Sequence, residues 1–478
     1  MSETTVPRQS GTPKRIAGKR FAIYGYGVTG QALADFLLEH GGQVVILDDA
    51  ARAHFDPAML AEAESRGIEL VFKPTAHDWM RLLPHVGALL PSPGITLTAL
   101  LLDIADQCHV TVMSELDLAA DYFPGEIIGV TGTNGKSTIT AWIHHVLSAS
   151  GMDSRIGGNF GTPAVATLQD ATHDTWAVWE LSSYQLQLAR RLAPRIGVLA
   201  TLTPDHLLRH GTMEAYAAAK MRLFAHQRPE DVAIYNLDDP AVVAVMATRR
   251  PVEGLHSLGY SLTSDQGAAG VHDGQLWVRG ATGVAYLGAA DDLPIPGPHN
   301  IGNALATSLA CLGAGISLDQ LRATLFTFPG LPHRIERVPS TDERTWINDS
   351  KSTNPESTLA ALASVDGKFV LILGGAEKEL DYTAVFEAFG KHTPNAVVTM
   401  GPAGERIAQE LDKMDTGLRV IRAGRLGDAV DAARGLTESG QTILFSPGAP
   451  SFNEFRNFEE RGAKFRGLVT SPATIQAE

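Results

Sequence analysis

Gly125-Glu-Ile-Ile-Gly-Val-Thr-Gly-Thr-Asn-Gly-Lys-Ser-Thr-Ile-Thr140 is the stretch on which the reading of this chain turns. An apolar run, Ile127, Ile128 and Val130, feeds a glycine-rich turn that closes on Lys136 and Ser137. Ile139, Trp142, Ile143, Val146 and Leu147 then recur at helical spacing, so strand, loop and amphipathic helix follow in order. A loop of this kind aims backbone N–H groups and a helix N-terminus at an anion. Gly132, Thr133, Asn134 and Gly135 would wrap phosphates, with Ser137 and Thr138 opening the helix. Lys136 would reach the outer phosphates and the Ser137 hydroxyl could ligate magnesium. Val130 stands where the strict Walker spacing needs glycine; the form here is the compact Thr-Gly-Thr-Asn-Gly-Lys-Ser-Thr. Glycine-rich loops are often plain turns, but Gly-Lys-Ser between strand and helix favours an ATP site.

Downstream, Trp176–Glu180 reads as a strand ending in an acid, the position from which magnesium on ATP phosphates is usually held. A surface glutamate is the alternative, and the nearby loop weighs against it. A strand over Ile196–Leu202 leads to Thr203-Pro-Asp205-His206-Leu-Leu-Arg209-His210, where Asp205 and His206 could serve a second metal. Lys220, on a helix with Ala217 and Arg222, carries no signal alone. Short β-like pieces occupy residues 255–292, and Gly297-Pro-His-Asn300-Ile-Gly-Asn303 opens a helix over Ala304–Leu312.

Upstream, a strand at Arg20–Tyr24 runs into Gly25-Tyr-Gly-Val-Thr-Gly30, a helix at Gln31–Leu38 and a strand at Gln43–Leu47 ending on Asp48-Asp49. That is the dinucleotide fingerprint, a weak one, since any nucleotide diphosphate could rest there while Asp48 holds a ribose or base. Another strand ends in Ser92-Pro-Gly94. Phe328-Pro-Gly-Leu-Pro-His-Arg334 punctuates the chain and predicts a boundary near 330. Beyond Trp346-Ile-Asn-Asp349, strands at Phe369–Leu373, Ala396–Met400, Leu418–Ile421 and Thr442–Phe445 alternate with helices, the pattern of a doubly wound sheet. The last ends in Ser446-Pro-Gly448, repeating the earlier turn. The expected fold is α/β in three domains: a Rossmann-like domain over 1–113 with 1–17 a disordered tail, a central P-loop ATPase-type parallel sheet over 114–330, and a C-terminal Rossmann-like domain over 331–478.

The 478 residues exceed one ordinary core. Hydrophobic residues at 44% and charged residues at 19% suit a globular chain, and a net charge of −14 argues against nucleic acid as a partner. Cys108 and Cys311 lack metal-ligand spacing and are expected as buried, reduced thiols. The first twenty residues are polar and basic, without a signal peptide's apolar core, and no run approaches the roughly 18 apolar residues of a membrane span. The expectation is a cytoplasmic protein without membrane insertion.

Together these motifs resemble the Mur ligase family, in order and over nearly the whole chain. They are Gly25–Gly30, Ser92-Pro-Gly, Gly-Thr-Asn-Gly-Lys-Ser-Thr, Glu180-Leu-Ser-Ser-Tyr-Gln, Thr-Pro-Asp-His, Ala-Ala-Lys220, His-Asn-Ile-Gly-Asn, Leu-Pro-His-Arg and Asn-Asp-Ser-Lys. The first domain and Asn348-Asp-Ser-Lys-Ser-Thr-Asn354 resemble the branch that adds D-glutamate. The resemblance implies a reaction in peptidoglycan precursor synthesis. ATP phosphorylates the carboxylate of UDP-N-acetylmuramoyl-L-alanine, and the amine of glutamate attacks the acyl phosphate. It implies Lys136 on the terminal phosphates, Ser137 and Glu180 on one magnesium, and His206 with Lys220, as its N-carbamate, on a second. Adenine and ribose would lie near Asn300, Asn303, Arg334 and Asp349. Val28, Thr29, Asp48, Ser92, Pro93 and Gly94 would hold UDP, and Asn159 the sugar or peptide side. Glutamate would meet Lys351, Thr353, Lys378, Ser451 and Phe458. A monomer is expected. Pro204, Leu208, Pro450 and Asn453 depart from the family's usual residues, the last two beside Ser451, which leaves the enantiomer of glutamate open. The other readings are a folylpolyglutamate-synthase-like ligase, an NAD-dependent oxidoreductase built on Gly25–Gly30, and a nucleotide-switched binding protein.

Overall fold

The computed structural model describes residues 16–249, 251–280, 283–295, 297–414 and 417–470, so all but the end of the expected N-terminal tail lies outside the described residues. The chain divides into two compact units. Residues up to Leu293 with Pro298–Phe328 form one, and Pro294–Gly297 with the chain from Pro329 form the other.

The first unit holds two sheets. The smaller contains β1 (Arg20–Tyr24), β2 (Gln43–Asp48), β3 (Glu69–Phe72), β4 (Ala88–Pro91) and β5 (Thr111–Val112), all parallel in the order β3-β2-β1-β4-β5. Strand order reverses between β1 and β4, where open α/β sheets offer their ligand crevice. Gly25–Gly30 and Ser92–Gly94 leave the carboxyl ends of those two strands. The helix after β1 spans Val28–Glu39, starting three residues before the expected Gln31. Its first turn is Val28-Thr29-Gly30, whose composition reads as loop, and only glycine fits at position 30, where a Cβ would lie 2.0 Å from the Gly25 carbonyl oxygen.

The larger sheet contains β6 (Glu126–Thr131), β7 (Ser154–Gly158), β8 (Trp176–Glu180), β9 (Ile196–Leu199), β10 (Val232–Asn236), β11 (His256–Ser261), β12 (Ala269–His272), β13 (Gln275–Gly280) and β14 (Gly283–Ala289). Their order is β14-β13-β12-β11-β10-β9-β6-β8-β7, parallel from β7 through β12 and antiparallel for the last two pairings. β6 is flanked by β8 and β9, with Val130 level with Glu180 and Thr131 level with Leu199. Apart from the half-buried Trp176 at the start of β8, the apolar side chains of β6, β8 and β9 are buried, as strands covered on both faces require. β9 stops at Leu199, short of the expected Leu202. Ala200 N–H donates to the Thr131 carbonyl and Thr133 N–H to that of Thr201 (3.0 and 2.8 Å), turning residues 200–202 over the loop.

Helix Glu115–Tyr122 joins the two sheets and buries two carboxylates. Asp117 accepts the N–H groups of Arg190, Arg191 and Leu192 at 2.8, 2.9 and 3.1 Å. Glu115 Oε1 accepts Val165 N–H at 2.7 Å while Oε2 is buried without a partner. Burial pushes the Glu115 carboxyl up to about 7. Between its ordinary value and pH 7 the folded protein keeps a proton that the unfolded chain loses. This side chain's contribution to stability therefore falls as pH rises through that window and stays low above it. Glu115→Gln, uncharged at every pH, is expected to melt with wild type at pH 4.5 and above it at pH 8, by up to roughly 3 kcal/mol. Thermal melts at the two pH values check this, and equal gaps at both would exclude it.

The second unit is one sheet of β15 (Glu336–Val338), β16 (Thr345–Asn348), β17 (Phe369–Gly374), β18 (Ala396–Met400), β19 (Arg419–Gly424) and β20 (Thr442–Phe445). Its order is β15-β16-β20-β17-β18-β19, parallel except for β15. Cys108 and Cys311 are both free. Cys311 is buried, whereas Cys108, at the C-cap of helix Ala99–Gln107, is only partly covered, contrary to expectation. No helix among the described residues is long and apolar enough to cross a membrane.

Candidate active site

The phosphate loop leaves β6 between its two neighbours. Gly132 and Gly135 have φ of +152° and +84°, and a Cβ on Gly135 would lie 2.7 Å from Asn303 Oδ1, so conformation and crowding both demand glycine there. Helix Lys136–Ala149 starts with no side-chain cap, which leaves its first N–H groups for an anion. Asn134 N–H donates to Thr201 Oγ1 at 2.8 Å and Thr131 Oγ1 to the Leu181 carbonyl at 2.8 Å, tying the loop to both flanking strands' exits. Lys136 Nζ donates to the carbonyls of Gly132 and Thr133 (2.9 and 2.6 Å), and Lys220 Nζ to that of Gly132 (2.7 Å). Two lysine nitrogens thus meet on one carbonyl oxygen. Lys220 is 1% exposed. Burial and then the Lys136 charge bring its amine down to about 7, against the pull of Asp205 and Glu180.

Glu180 is buried at the end of β8. Its Oε1 accepts Asn159 Nδ2 at 2.7 Å, and its Oε2 is buried with no partner. A carboxylate oxygen left bare inside a protein is costly, and a hard cation would satisfy it. Among the described residues no three His, Cys, Asp or Glu side chains form a cage of their own. That suits magnesium, which takes one or two protein oxygens and completes its shell with phosphates and water. Ser137, buried in the first helical turn, carries a hydroxyl oxygen of the kind that could supply the second. The residues present fit the ion.

His206 sits at the rim with φ +54°, its Nε2 3.3 Å from the Asp205 carboxylate and its ring 4.9 Å from Tyr184. Tyr184 also stacks on His210 (5.6 Å), whose Nε2 lies 2.9 Å from Ser183 Oγ. Tyr216 closes the circuit: its ring lies 5.3 Å from His210 and 4.6 Å from Lys220 Nζ, and its hydroxyl 3.1 Å from Thr133 Oγ1. Asn300 and Asn303, both buried, pair at 3.0 Å beside Gly135.

At the first sheet, Asp48 braces the glycine turn, accepting Tyr26 N–H at 2.7 Å and Ala50 N–H at 2.8 Å. Ser92 Oγ donates to the Gly25 carbonyl at 3.1 Å, joining the two turns. Val28 is exposed and Thr29, Pro93 and Gly94 are at least partly so. Arg209, which carries no signal in the sequence, reaches across from the His206 segment. Its guanidinium donates to the carbonyls of Gly94 and Ile95 (3.3 and 2.9 Å) and to Thr96 Oγ1 (2.9 Å), and lies 4.7 Å over Tyr184.

In the second unit Asp349 is buried at the end of β16, accepting Ser446 Oγ at 2.7 Å and Ile335 N–H at 3.2 Å. Burial pushes it up to about 7, with the Ser446 bond and the Arg334 charge pulling the other way. Lys351 Nζ lies 5.9 Å from the Phe458 ring centre. Ala376 N–H donates to the Pro450 carbonyl at 2.8 Å, which sets the loop of exposed Lys378 beside that of buried Ser451; Thr353 is partly covered. Beneath them Arg461, 1% exposed, donates to Ser350 Oγ (3.0 Å), the Ser350 carbonyl (2.8 Å) and the Ala449 carbonyl (2.9 Å). A lone arginine in a helix gives sequence reading nothing to find. Arg461→Met would strand three acceptors and is expected to lower stability by roughly 3 kcal/mol in denaturant titrations. A loss under about 0.5 kcal/mol would show the acceptors are satisfied elsewhere.

A glycine-rich loop that opens an uncapped helix, with a buried carboxylate oxygen left bare at the end of the neighbouring strand, is the pattern of a nucleoside-triphosphate site. The chain belongs to the Mur ligase family. Residues 130–311 match the Mur ligase middle domain, and residues 333–448 match the Mur ligase glutamate ligase domain. A UDP-N-acetylmuramoylalanine–D-glutamate ligase of Pelotomaculum thermopropionicum is 35% identical, the match covering 96% of this chain and 99% of the relative. One of Koribacter versatilis, bearing the same description, is 33% identical over 96% and 98%. Among solved structures, MurF from Acinetobacter baumannii superposes with a TM-score of 0.58 at 15% identity, covering 95% of this chain and 92% of its own. MurC from Thermotoga maritima does so with 0.56 at 16%, covering 94% and 98%. These likenesses bear out the family resemblance read from the motifs, and with it a ligase rather than an oxidoreductase.

Proposed function

We propose that this protein joins D-glutamate to UDP-N-acetylmuramoyl-L-alanine at the expense of ATP, a step of peptidoglycan precursor synthesis. The observation that carries the reading is the end-to-end match to ligases of that description, with the phosphate loop and Glu180 in place within it. In the reaction a carboxylate oxygen of the UDP-linked acceptor attacks the terminal phosphorus and the bond to ADP breaks. The glutamate nitrogen then attacks the acyl carbon, loses a proton, and phosphate leaves.

The loop N–H groups and Lys136 hold the terminal phosphates, and Asn159 orients Glu180. Glu180 and Ser137 would hold magnesium, which would supply neutralisation of charge on the transferring group. Lys220 is buried, with its amine brought down to about 7, so it presents a nucleophilic nitrogen at neutral pH. Its nitrogen adds to carbon dioxide, releases a proton to water, and becomes an anionic carbamate that, with His206, suits a second cation.

The three parts of the expected fold divide the substrates. Residues 1–113 take UDP on Val28, Thr29, Asp48 and Ser92–Gly94. Residues 114–330 take ATP, with Asn300 and Asn303 on the nucleotide. Residues 331–478 take glutamate on Lys351, Thr353, Lys378, Ser451 and Phe458; Arg334 and Asp349 keep the adenine and ribose role. Two lysines and two hydroxyls suit a dicarboxylate. The protein acts as a monomer in the cytoplasm, where ATP and nucleotide-linked substrates occur together.

Phosphate release tests the reading, with UDP-N-acetylmuramoyl-L-alanine crossed against D-glutamate, L-glutamate and other amino acids. Release is expected only with acceptor and D-glutamate both present. No release with either enantiomer overturns the reading.

A further inference from the structure

We propose that Arg209 is a positioning residue that couples occupancy of the first sheet's substrate turns to the setting of His206 beside the phosphate loop. This rests on the function proposed above. The helix carrying Arg209, Leu207–His210, is four residues long and fully buries none of them; Leu208 is fully exposed and Leu207 is 38% exposed. Apolar burial alone does not hold this turn. Two polar side chains do: His210 through Ser183 and the Tyr184 ring, and Arg209 through its fork.

The backbone makes Arg209 and His206 move together. Arg209 N–H and His210 N–H both donate to the His206 carbonyl, at 3.0 and 3.2 Å. His206 itself is held at φ +54°, a left-handed conformation that costs of order 1 kcal/mol and persists only where its surroundings enforce it. A shift of the Arg209 backbone is therefore a shift of His206.

The other end of the fork rests on residues 94–96, directly after Ser92, whose hydroxyl is bonded to Gly25 at the head of the glycine turn. A diphosphate settling on that turn presses on Gly25 and Ser92. The strain passes through residues 94–96 to the rigid guanidinium, and from there to His206 both along the backbone and through the Tyr184 ring, which touches Arg209 and His206 alike. A lysine could keep the charge over the ring, but its donors radiate from one nitrogen and lack the rigid planar fork of the guanidinium.

Coupling between sites is reciprocal and is measured in binding, without turnover. Calorimetry with a non-hydrolysable ATP analogue and magnesium, with and without saturating UDP-N-acetylmuramoyl-L-alanine, gives the factor by which one ligand changes affinity for the other. Wild type is expected to show a factor of about five or more. Arg209→Ala is expected to bring it to near one, with each separate affinity kept within about threefold and the melting temperature little changed; Arg209→Lys should lie between. A wild-type factor near one overturns the coupling, and so does an Arg209→Ala factor equal to wild type. Loss of both separate affinities together with fold stability in Arg209→Ala would make Arg209 a scaffold residue, which also overturns it. If Arg209→Ala does not fold, Arg209→Lys and Tyr184→Leu read the same factor. Wild type that binds neither ligand sinks the proposed function instead.

Discussion

Lys136→Ala is expected to lower kcat by about a thousandfold, the scale of removing one charge-stabilising donor from a closed site. In the proposed reaction its ammonium would face the transferring phosphoryl group, which would gain most from it when negative charge is spread over its oxygens. The fold should survive the change. Lys136 is only partly buried, and of the carbonyls it releases that of buried Gly132 keeps its bond from Lys220 while Thr133 is partly exposed. The variant should melt within a few degrees of wild type, with a weakened but measurable affinity for ATP. It should also shift a neighbour. The Lys136 charge is the second cause of the low Lys220 value, so its removal moves that amine back upward. Phosphate release, nucleotide binding and thermal melts on one preparation decide the matter. Activity within tenfold of wild type would remove Lys136 from the chemistry.

Lys220→Arg should be nearly as severe, a loss of at least about a hundredfold, although the change keeps a cation and a long side chain. The guanidinium stays protonated at any working pH and cannot take up carbon dioxide. It would set a fixed positive charge, 1% exposed in the wild-type geometry, where an anionic oxygen is wanted. The same chemistry gives the wild type a pH profile. With the amine brought down to about 7, occupancy of the proposed carbamate, and activity with it, is expected to fall as pH drops through that value. Carbon-13 bicarbonate labelling should give wild type one carbamate resonance, lost on acidification, and give Lys220→Arg none. A wild type with no such resonance and full activity would refute the assignment.

The parts legible in the sequence were those with a period or a motif. The β6 strand, its loop and helix, the strand ending at Glu180 and the strands from Phe369 to Phe445 follow from apolar runs and punctuation. The unreadable parts depend on contacts between distant residues. Asn159 and Glu180 are 21 positions apart and meet because β7 and β8 are parallel neighbours whose exits face one another. Arg209 and Arg461 stand in unremarkable surroundings and gain meaning only from the carbonyls that converge on them. The end of β9 misled because Ala200-Thr-Leu202 has strand composition, while the loop claims its hydrogen bonds. Asp48, read as a ligand residue, also has structural work in the glycine turn; the sequence held the residue but not its two backbone donors.

Helix Glu115–Tyr122 has a mechanical corollary. Asp117 and Glu115 bolt it to residues 190–192 and 165, so it travels with the larger sheet as one rigid piece. The smaller sheet packs back on this helix: the rings of Phe36 and His40 lie 5.3 and 5.8 Å from that of Tyr122, and one apolar core runs through both sheets. The Arg209 fork adds three hydrogen bonds at the loop that leaves β4, the strand beside β5. Sliding one sheet over the other would therefore open a shared apolar core as well as undo that fork.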